Sequence, residues 1–185
     1  MEAGTPRAKP LQIDEVPVLP YMGVIGICLC PGHSGRPDLI DRDLHTDLDA
    51  IQGWGADAIV TLMEDHEFIA IRVPEFPHSV QRVGLPWYHL PIRDTDVPNA
   101  AFEERWCEVG PELIDRLKMG QKVLMHCRGG IGRSGTIAAK LLIEMGHVPE
   151  NALTIVRANR RGAVENAIQE SYVLSVAQQN EKASI

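Results

Sequence analysis

Residues 122–145 read KVLMHCRGGIGRSGTIAAKLLIEM, and the fold is most directly predicted from this segment. Lys122–His126 is a short and mostly apolar run that predicts a buried strand. Ser134–Met145 has the apolar spacing of a helix, which Gly146 closes. A glycine-rich loop joins the two elements. In α/β sheets the order strand, loop, helix marks the edge where ligands bind, so this loop is the predicted ligand site.

The loop carries a cysteine and an arginine on a backbone suited to binding an anion. Gly129, Gly130 and Gly132 let the chain curl so that successive N–H groups point inward. The N-terminus of the following helix adds partial positive charge at the same place. Arg133 lies six residues after Cys127 and offers a planar fork to two oxygens of a phosphate. The same environment should stabilise the thiolate of Cys127, which is therefore the predicted nucleophile.

Other residues of the loop are predicted to support this nucleophile. The hydroxyl of Ser134 follows the arginine, where it can stabilise the thiolate as it leaves. His126 precedes the cysteine and is expected to tune the loop through hydrogen bonds rather than act as a base. A glycine-rich turn with a buried cysteine is the simpler alternative, but it leaves the fixed offsets of cysteine, arginine and hydroxyl unexplained. The predicted phosphate-binding residues are Arg128, Gly129, Gly130, Ile131, Gly132 and Arg133.

The pattern Cys-x5-Arg-Ser at residues 127–134 resembles the signature of protein tyrosine and dual-specificity phosphatases. The wider chain is similar to the cyclin-dependent-kinase-associated phosphatase type and its bacterial relatives. The segments that carry this similarity are GICLCPG at 26–32, HLPIRD at 89–94, HCRGGIGRS at 126–134 and RGAVEN at 161–166. The resemblance covers most of residues 22–175. It implies a phosphotyrosine-phosphatase-like fold, hydrolysis through a phosphocysteine without metal or other cofactor, and a phosphorylated protein as substrate.

A carboxylic acid is expected on a neighbouring loop, because the departing oxygen must be protonated. The segment PIRDTDVP at 91–98 offers Asp94 and Asp96. The resemblance places the general acid at Asp94, with Asp96 as the alternative, and a third interpretation makes both of them turn carboxylates. Asn166 and Gln169 lie where relatives often carry polar residues that orient the attacking water.

Strands and helices alternate along the rest of the chain and precede a helical C-terminal third. The predicted strands are Gln12–Val16, Val24–Cys30, Ala58–Leu62 and Trp87–Leu90. One predicted helix has Leu44, Leu48 and Ile51 on one face, and a helical turn is expected at Glu64–Ala70. Further helices are predicted at Phe102–Met119, Pro149–Asn159 and Val164–Gln179. Gly110-Pro111 could break or kink the first of these three. This alternation predicts an α/β fold with a small, mostly parallel sheet flanked by helices. Residues 11–180 are expected to form a single domain after a flexible segment at 1–10.

Composition narrows the partners and the location. The chain has 185 residues, of which 44% are hydrophobic and 23% charged, with a net charge of −7. This acidic balance argues against nucleic acid or an anionic membrane as a partner, and no oligomeric state is predicted. Residues 1–20 lack the continuous apolar core of a signal peptide, and no run approaches the roughly 20 apolar residues that span a bilayer. A cytoplasmic location with reduced thiols is therefore expected.

Several other residue types have structural explanations. Cys28 and Cys30 alternate along an apolar run and are expected to be buried packing residues, as is Cys107. The histidines at positions 33, 66, 78 and 89 are expected at the surface or at element ends, and the three tryptophans in the core. The arginines at 157, 160 and 161 lie near a helix end, where favouring the helix dipole is the preferred explanation and recruitment of an acidic partner the alternative.

Three rival functions remain. A related phosphatase could act on a phosphoinositide or an RNA 5′-phosphate, but lipid-directed relatives carry lysines in the loop and RNA-directed relatives are more basic. A silent phosphate-binding module would be expected to lack the nucleophile or the acid. A rhodanese-like or arsenate-reductase-like sulfur enzyme would not need this arginine, hydroxyl and aspartate together. The short chain predicts a shallow cleft, hence phosphoserine and phosphothreonine as well as phosphotyrosine, and an oxidisable Cys127 is a further hypothesis.

Overall fold

The computed structural model describes residues 10–33 and 42–183, so the expected flexibility of segment 1–10 falls almost wholly outside the described residues. The strands are β1 (Asp14–Pro17), β2 (Val24–Cys28), β3 (Ala58–Thr61), β4 (Trp87–His89) and β5 (Lys122–His126). The helices are α1 (Leu44–Trp54), α2 (Asp65–Ala70), α3 (Phe76–Arg82), α4 (Ala100–Lys118), α5 (Gly132–Glu144), α6 (Pro149–Asn159) and α7 (Ala167–Ala183). The helical C-terminal third is as predicted.

The strands form one sheet in the order β1-β2-β5-β3-β4. Only β1 runs antiparallel, against β2, and the other neighbours pair in parallel. Strand β5 lies at the centre, where Val123, Leu124 and Met125 are fully buried. Its end is flanked by the ends of β2 and β3, because His126 pairs with Cys28 on one side and with Thr61 on the other. The predicted α/β fold with a mostly parallel central sheet is confirmed.

Helix α5 is the central helix of the C-terminal third. Every residue from Gly132 to Ile143 is buried, because α5 contacts α6 and α7 as well as β5 and β2. A helix that is buried on all sides needs small or apolar residues around most of its circumference, and the run GTIAAKLLI at 135–143 supplies them. The exception is Lys140, whose ammonium group pairs with Glu103 and Glu144. The elements that carry the predicted loop are therefore anchored in the core at both ends.

Three local predictions need correction. Helix α4 does not break at Gly110-Pro111 but runs through both residues, with Trp106 packed over Gly110 so closely that a Cβ there would lie 2.6 Å from its Nε1. Cys107 is exposed on this helix rather than packed, and its Sγ lies 3.2 Å from the carbonyl of Glu103. The last helix begins at Ala167 and not at Val164, since Val164 has a φ of 58° that is incompatible with a right-handed helix.

Helix α3 was not predicted from the sequence. It is only seven residues long and contains Pro77 in its first turn. So short a segment does not show a helical period that would distinguish it from a loop. Within residues 10–33 and 42–183, no helix combines the length and the apolar character required to cross a bilayer.

Candidate active site

The loop after β5 has the backbone geometry of an anion cradle. Within the described part of the chain, the N–H groups of residues 129–133 donate no hydrogen bond, whereas the carbonyls of Gly129 and Gly130 are both engaged by Arg160. Gly130 has a φ of 64°, and a Cβ there would lie 2.1 Å from the carbonyl oxygen of Cys28. Only glycine fits this position. The loop therefore turns its carbonyls away from the side on which its amides are available.

Arg160 supports the loop from behind. Its Nε donates to the carbonyl of Gly130 at 2.8 Å and its Nη2 to the carbonyl of Gly129 at 3.1 Å. Its Nη1 pairs with Asp14 of β1 at 2.8 Å. The sequence-based explanation of this arginine through the helix dipole missed these contacts: Arg160 is the C-cap of α6, and its three donor groups tie the loop to the edge of the sheet. Nothing in the local sequence signals these contacts.

Replacing Arg160 with methionine should reduce kcat/KM for p-nitrophenyl phosphate about tenfold, because small displacements of positioning groups reduce rates steeply. Binding of tungstate should weaken in parallel, since the loop amides lose their fixed orientation. The matched control is Arg161→Met, which removes the same charge from an exposed neighbouring side chain. Equal activities of the two variants would show that the loop holds its shape without Arg160.

Arg133 is held by an ion pair that sequence reasoning missed. Its side chain is 1% exposed, and its Nη1 and Nη2 donate to the two carboxylate oxygens of Glu67 at 2.6 and 2.8 Å. Nη1 also donates to the carbonyl of Ile92 at 2.9 Å. Glu67 lies 66 residues before Arg133, in a charged stretch after β3 that carries no recognisable motif. The geometry is the bidentate arrangement that orients an arginine most firmly.

Both members of this pair are ionised at neutral pH. Burial alone would raise the pKa of Glu67, but the hydrogen bonds from Arg133 and from the backbone N–H of Glu64 hold it below its ordinary value. Burial alone would lower the pKa of Arg133, but the hydrogen bonds to Glu67 and the nearby negative charges raise it. The guanidinium is therefore a permanent cation of fixed orientation.

The two candidate acids occupy different positions. Asp94 is half-exposed, and its Oδ1 lies 2.9 Å from Nη2 of Arg133. Each carboxylate also accepts a hydrogen bond from the next backbone N–H, Asp94 from Thr95 at 3.1 Å and Asp96 from Val97 at 2.9 Å. Of these two described carboxylates, only that of Asp94 contacts Arg133. The structure thus brings Asp94 to the predicted phosphate-binding arginine and leaves Asp96 in a local turn. This arrangement favours Asp94 as the acid.

Residues at the start of α7 hold the loop that carries Asp94 and Asp96. Asn166 donates through Nδ2 to the carbonyl of Thr95 at 2.8 Å, and Gln169 through Nε2 to the carbonyl of Asp96 at 3.4 Å. Thr95 has a φ of 62°, which a threonine rarely adopts without such support. The two amides expected to orient water therefore bind the backbone of the acid loop in this structure.

His126 and Ser134, on either side of Cys127 in the sequence, are both buried. The Nε2 of His126 is 2.7 Å from Oγ1 of Thr61, which also accepts from Nε1 of Trp87 at 2.9 Å. Burial lowers the pKa of His126 to about 3, so the ring is neutral in the physiological range. The hydroxyl oxygen of Ser134 is buried and has no hydrogen-bond partner among the described residues, the sulfur of Cys127 included.

The other buried cysteines near the loop are thiols. Cys28 and Cys30 are buried as expected, and Cys30 donates its backbone N–H to the carbonyl of Arg128 at 3.1 Å. Burial raises the pKa of both side chains well above the ordinary value. Cys127 is also buried, with 3% exposure, but it begins the amide-rich loop. Among the described residues, no three His, Cys, Asp or Glu side chains are grouped in a way that could hold a metal ion.

Known proteins with similar sequences share this architecture. The sequence profile of the family described as Cyclin-dependent kinase inhibitor 3 (CDKN3) matches residues 8–153. Cyclin-dependent kinase inhibitor 3 of Homo sapiens is 32% identical over 152 residues, which cover 80% of this chain and 69% of the human protein. PRL-1 phosphatase of Drosophila melanogaster is 30% identical over 120 residues, covering 62% of this chain and 66% of the relative.

Solved structures give the same result. A kinase associated phosphatase (KAP) with its catalytic-site cysteine changed to serine superimposes with a TM-score of 0.82 at 27% identity, covering 96% of this chain and 98% of the other. The active form of Tk-PTP superimposes with a TM-score of 0.65 at 28% identity, covering 90% and 97%. The chain therefore belongs to the Cyclin-dependent kinase inhibitor 3 family and is a phosphatase of the protein tyrosine phosphatase class.

Proposed function

We propose that this phosphatase hydrolyses phosphotyrosine, and also phosphoserine and phosphothreonine, in proteins through a phosphocysteine formed on Cys127. The observation that carries the proposal is the meeting of three groups. The amide-rich loop begins at Cys127, it ends at the buried Arg133, and Asp94 lies 2.9 Å from that arginine. Covalent catalysis of phosphoester hydrolysis needs a nucleophile, a group that binds the phosphate anion and a general acid within one site.

In the first step the thiolate of Cys127 attacks phosphorus, and the bond from phosphorus to the leaving oxygen breaks. Asp94 gives its proton to that oxygen, so that a neutral alcohol or phenol departs. In the second step water attacks the phosphocysteine while Asp94 takes a proton from it. The sulfur leaves as a thiolate, which the buried hydroxyl of Ser134 stabilises by donating a hydrogen bond.

Arg133 links substrate binding to the position of the acid. Both hydrogens of Nη1 are engaged, by Glu67 and by Ile92, and one hydrogen of Nη2 by Glu67. Two donors of Arg133 are left for a phosphate. One is Nε, which donates to no other described residue, and the other is the second hydrogen of Nη2, which points to Asp94 in this structure. A phosphate oxygen that takes this Nη2 hydrogen displaces Asp94 from the arginine. The freed carboxyl group then lies beside the leaving oxygen.

A phosphorylated protein is the proposed partner. The name of the human relative refers to a cyclin-dependent kinase, and the structure with the TM-score of 0.82 is called a kinase associated phosphatase. A negatively charged chain with local anion binding fits a protein partner better than nucleic acid. No step of the proposed mechanism requires a metal ion or a cofactor.

Asp94→Asn should reduce kcat for p-nitrophenyl phosphate in EDTA about a hundredfold, the usual contribution of a general acid. Steady-state kinetics on the wild type and the variant under the same conditions measure this loss.

The matched control is Asp96→Asn, which changes the neighbouring carboxyl of the same loop and should keep the wild-type kcat. If Asp96→Asn instead loses the activity and Asp94→Asn keeps it, the acid is Asp96. If the wild type binds tungstate but turns over neither this substrate nor phosphopeptides, the chain is a phosphate-binding module.

A further inference from the structure

We propose that Glu165, which lies against the phosphate-binding loop, is a specificity residue. Its charge makes the site favour phosphoresidues that have no second phosphate beside them. This inference rests on the proposed function, since it assumes that the loop binds the phosphate of a protein substrate. It narrows the substrate class to singly phosphorylated segments whose neighbouring side chains are neutral or basic.

The first observation is the contact between Glu165 and the loop. A Cβ built on Gly132 would lie 1.9 Å from Oε1 of Glu165 and 2.8 Å from Nε2 of Gln169. Gly132 is buried and is the first residue of α5, where the loop amides converge on the helix N-terminus. A carboxylate therefore lies directly against the backbone of the anion cradle, and the absence of a side chain at Gly132 makes room for it.

The second observation is that the backbone around Glu165 is fixed to the loop. Val164 has a φ of 58°, a strained conformation for a β-branched residue, and its N–H donates to the carbonyl of Ile131 at 3.4 Å. Arg157 donates to the carbonyl of Val164 at 3.1 Å. The N–H of Glu165 donates to Oε1 of Gln169 at 3.0 Å. Glu165 is thus held at this place by contacts on both sides.

The third observation is that the charge of Glu165 is not neutralised. The side chain is exposed, and it makes no hydrogen bond or ion pair with any other residue in the described part of the chain. The cation nearest in the sequence, Arg161, is exposed, and no ion pair joins it to Glu165 within the described residues. The carboxylate of Glu165 therefore lies against the loop without a cationic partner.

The other charged side chains at the mouth do not cancel the effect of Glu165. Arg93 and Arg128 are exposed, and Asp94 and Asp96 lie on the opposite loop, so the remaining charges nearly balance. Two charges about 6 Å apart in a partly exposed site change an affinity about tenfold. One phosphate is still bound, because the loop amides and Arg133 are aimed at it. A second phosphate is held by neither the loop amides nor Arg133 and meets the carboxylate of Glu165, whereas a lysine or arginine beside the phosphoresidue is attracted by that carboxylate.

The experiment measures binding by calorimetry in the Cys127→Ser background, so that turnover does not interfere. The probes are tungstate, a singly phosphorylated peptide and the same peptide with a second phosphate on the adjacent residue. The variants are Glu165→Gln, which keeps the shape, and Glu165→Lys, which reverses the charge. Glu150→Gln is the control, since it removes the same charge from an exposed site on α6.

The parent should bind the singly phosphorylated peptide about tenfold more tightly than the doubly phosphorylated one. Glu165→Gln should abolish most of this preference and tighten tungstate binding about threefold. Glu165→Lys should reverse the preference, and Glu150→Gln should leave the preference unchanged. The same preference in Glu165→Gln and in the parent would overturn the inference, with the phosphatase activity untouched. Failure of the parent to bind tungstate or either peptide would overturn both the inference and the proposed function.

Discussion

Cys127→Ser should lose at least about 10⁴-fold of kcat for p-nitrophenyl phosphate while still binding tungstate with nearly wild-type affinity. Serine keeps the size of the side chain, but its hydroxyl is not ionised at neutral pH and is a far weaker nucleophile. The amides of residues 129–133 and the guanidinium of Arg133 are unchanged by the substitution, so the oxyanion retains its donors. Steady-state kinetics and calorimetry on the same preparation separate the two effects.

The control for this variant is Cys107→Ser, which alters an exposed thiol on the outer side of α4 and should keep full activity. A direct test is to quench the wild-type enzyme with acid during turnover and analyse its peptides. Phosphate should be found on the peptide that contains Cys127. Residual activity above about a tenth in Cys127→Ser would exclude the phosphocysteine pathway.

Glu67→Gln should have the second-largest effect, because it acts on both stability and activity. Glu67 is buried and binds Arg133 through two charge-assisted hydrogen bonds. Removing one partner of a buried ion pair leaves an uncompensated charge and typically costs about 3–5 kcal/mol. The fork of Arg133 also loses its orienting partner, and we expect kcat to fall about a hundredfold. Denaturant unfolding and steady-state kinetics measure the two losses separately.

The control is Asp65→Asn on the same helix, whose side chain is 89% exposed and whose effect on stability should be within about 0.5 kcal/mol. The pH dependence supplies a further check. The folded-state pKa of Glu67 is depressed, so its stabilising effect is complete above the unfolded pKa of about 4.3 and is lost as the pH falls through the folded pKa. The stability difference between wild type and Glu67→Gln should shrink in that acidic window. A constant difference would argue against an ionised pair.

The fold class and the loop were predictable from the sequence because their signals are local. Strand β5, the glycine-rich loop and α5 are consecutive in the sequence. Cys127 and Arg133 both lie in this one short loop, so their spacing can be read directly from the sequence. The alternation of apolar runs and helical spacing then indicates a mostly parallel sheet. Errors occurred where local spacing is ambiguous, as at the uninterrupted α4 and at the exposed Cys107.

The choice between Asp94 and Asp96 shows where local reasoning ends. Both carboxyls lie in one irregular segment, and no sequence period distinguishes them. In the structure the positive φ of Thr95 and the hydrogen bond from Asn166 set the path of this segment, and Asp94 meets Arg133 as a result. The family resemblance named the same residue, but only the path of the chain supplies the physical reason.

Cys127, Arg133 and the amide-rich loop that joins them can be identified as a candidate site from the sequence, because these groups belong to one continuous loop whose geometry follows from its glycines and the adjoining helix. The contacts that orient them are visible only in the folded chain. Glu67 reaches Arg133, Arg160 reaches the loop carbonyls, and Glu165 reaches Gly132. These partners come from distant segments, and their meeting depends on how helices pack on the sheet, which is set by burial of the whole core and by no local spacing.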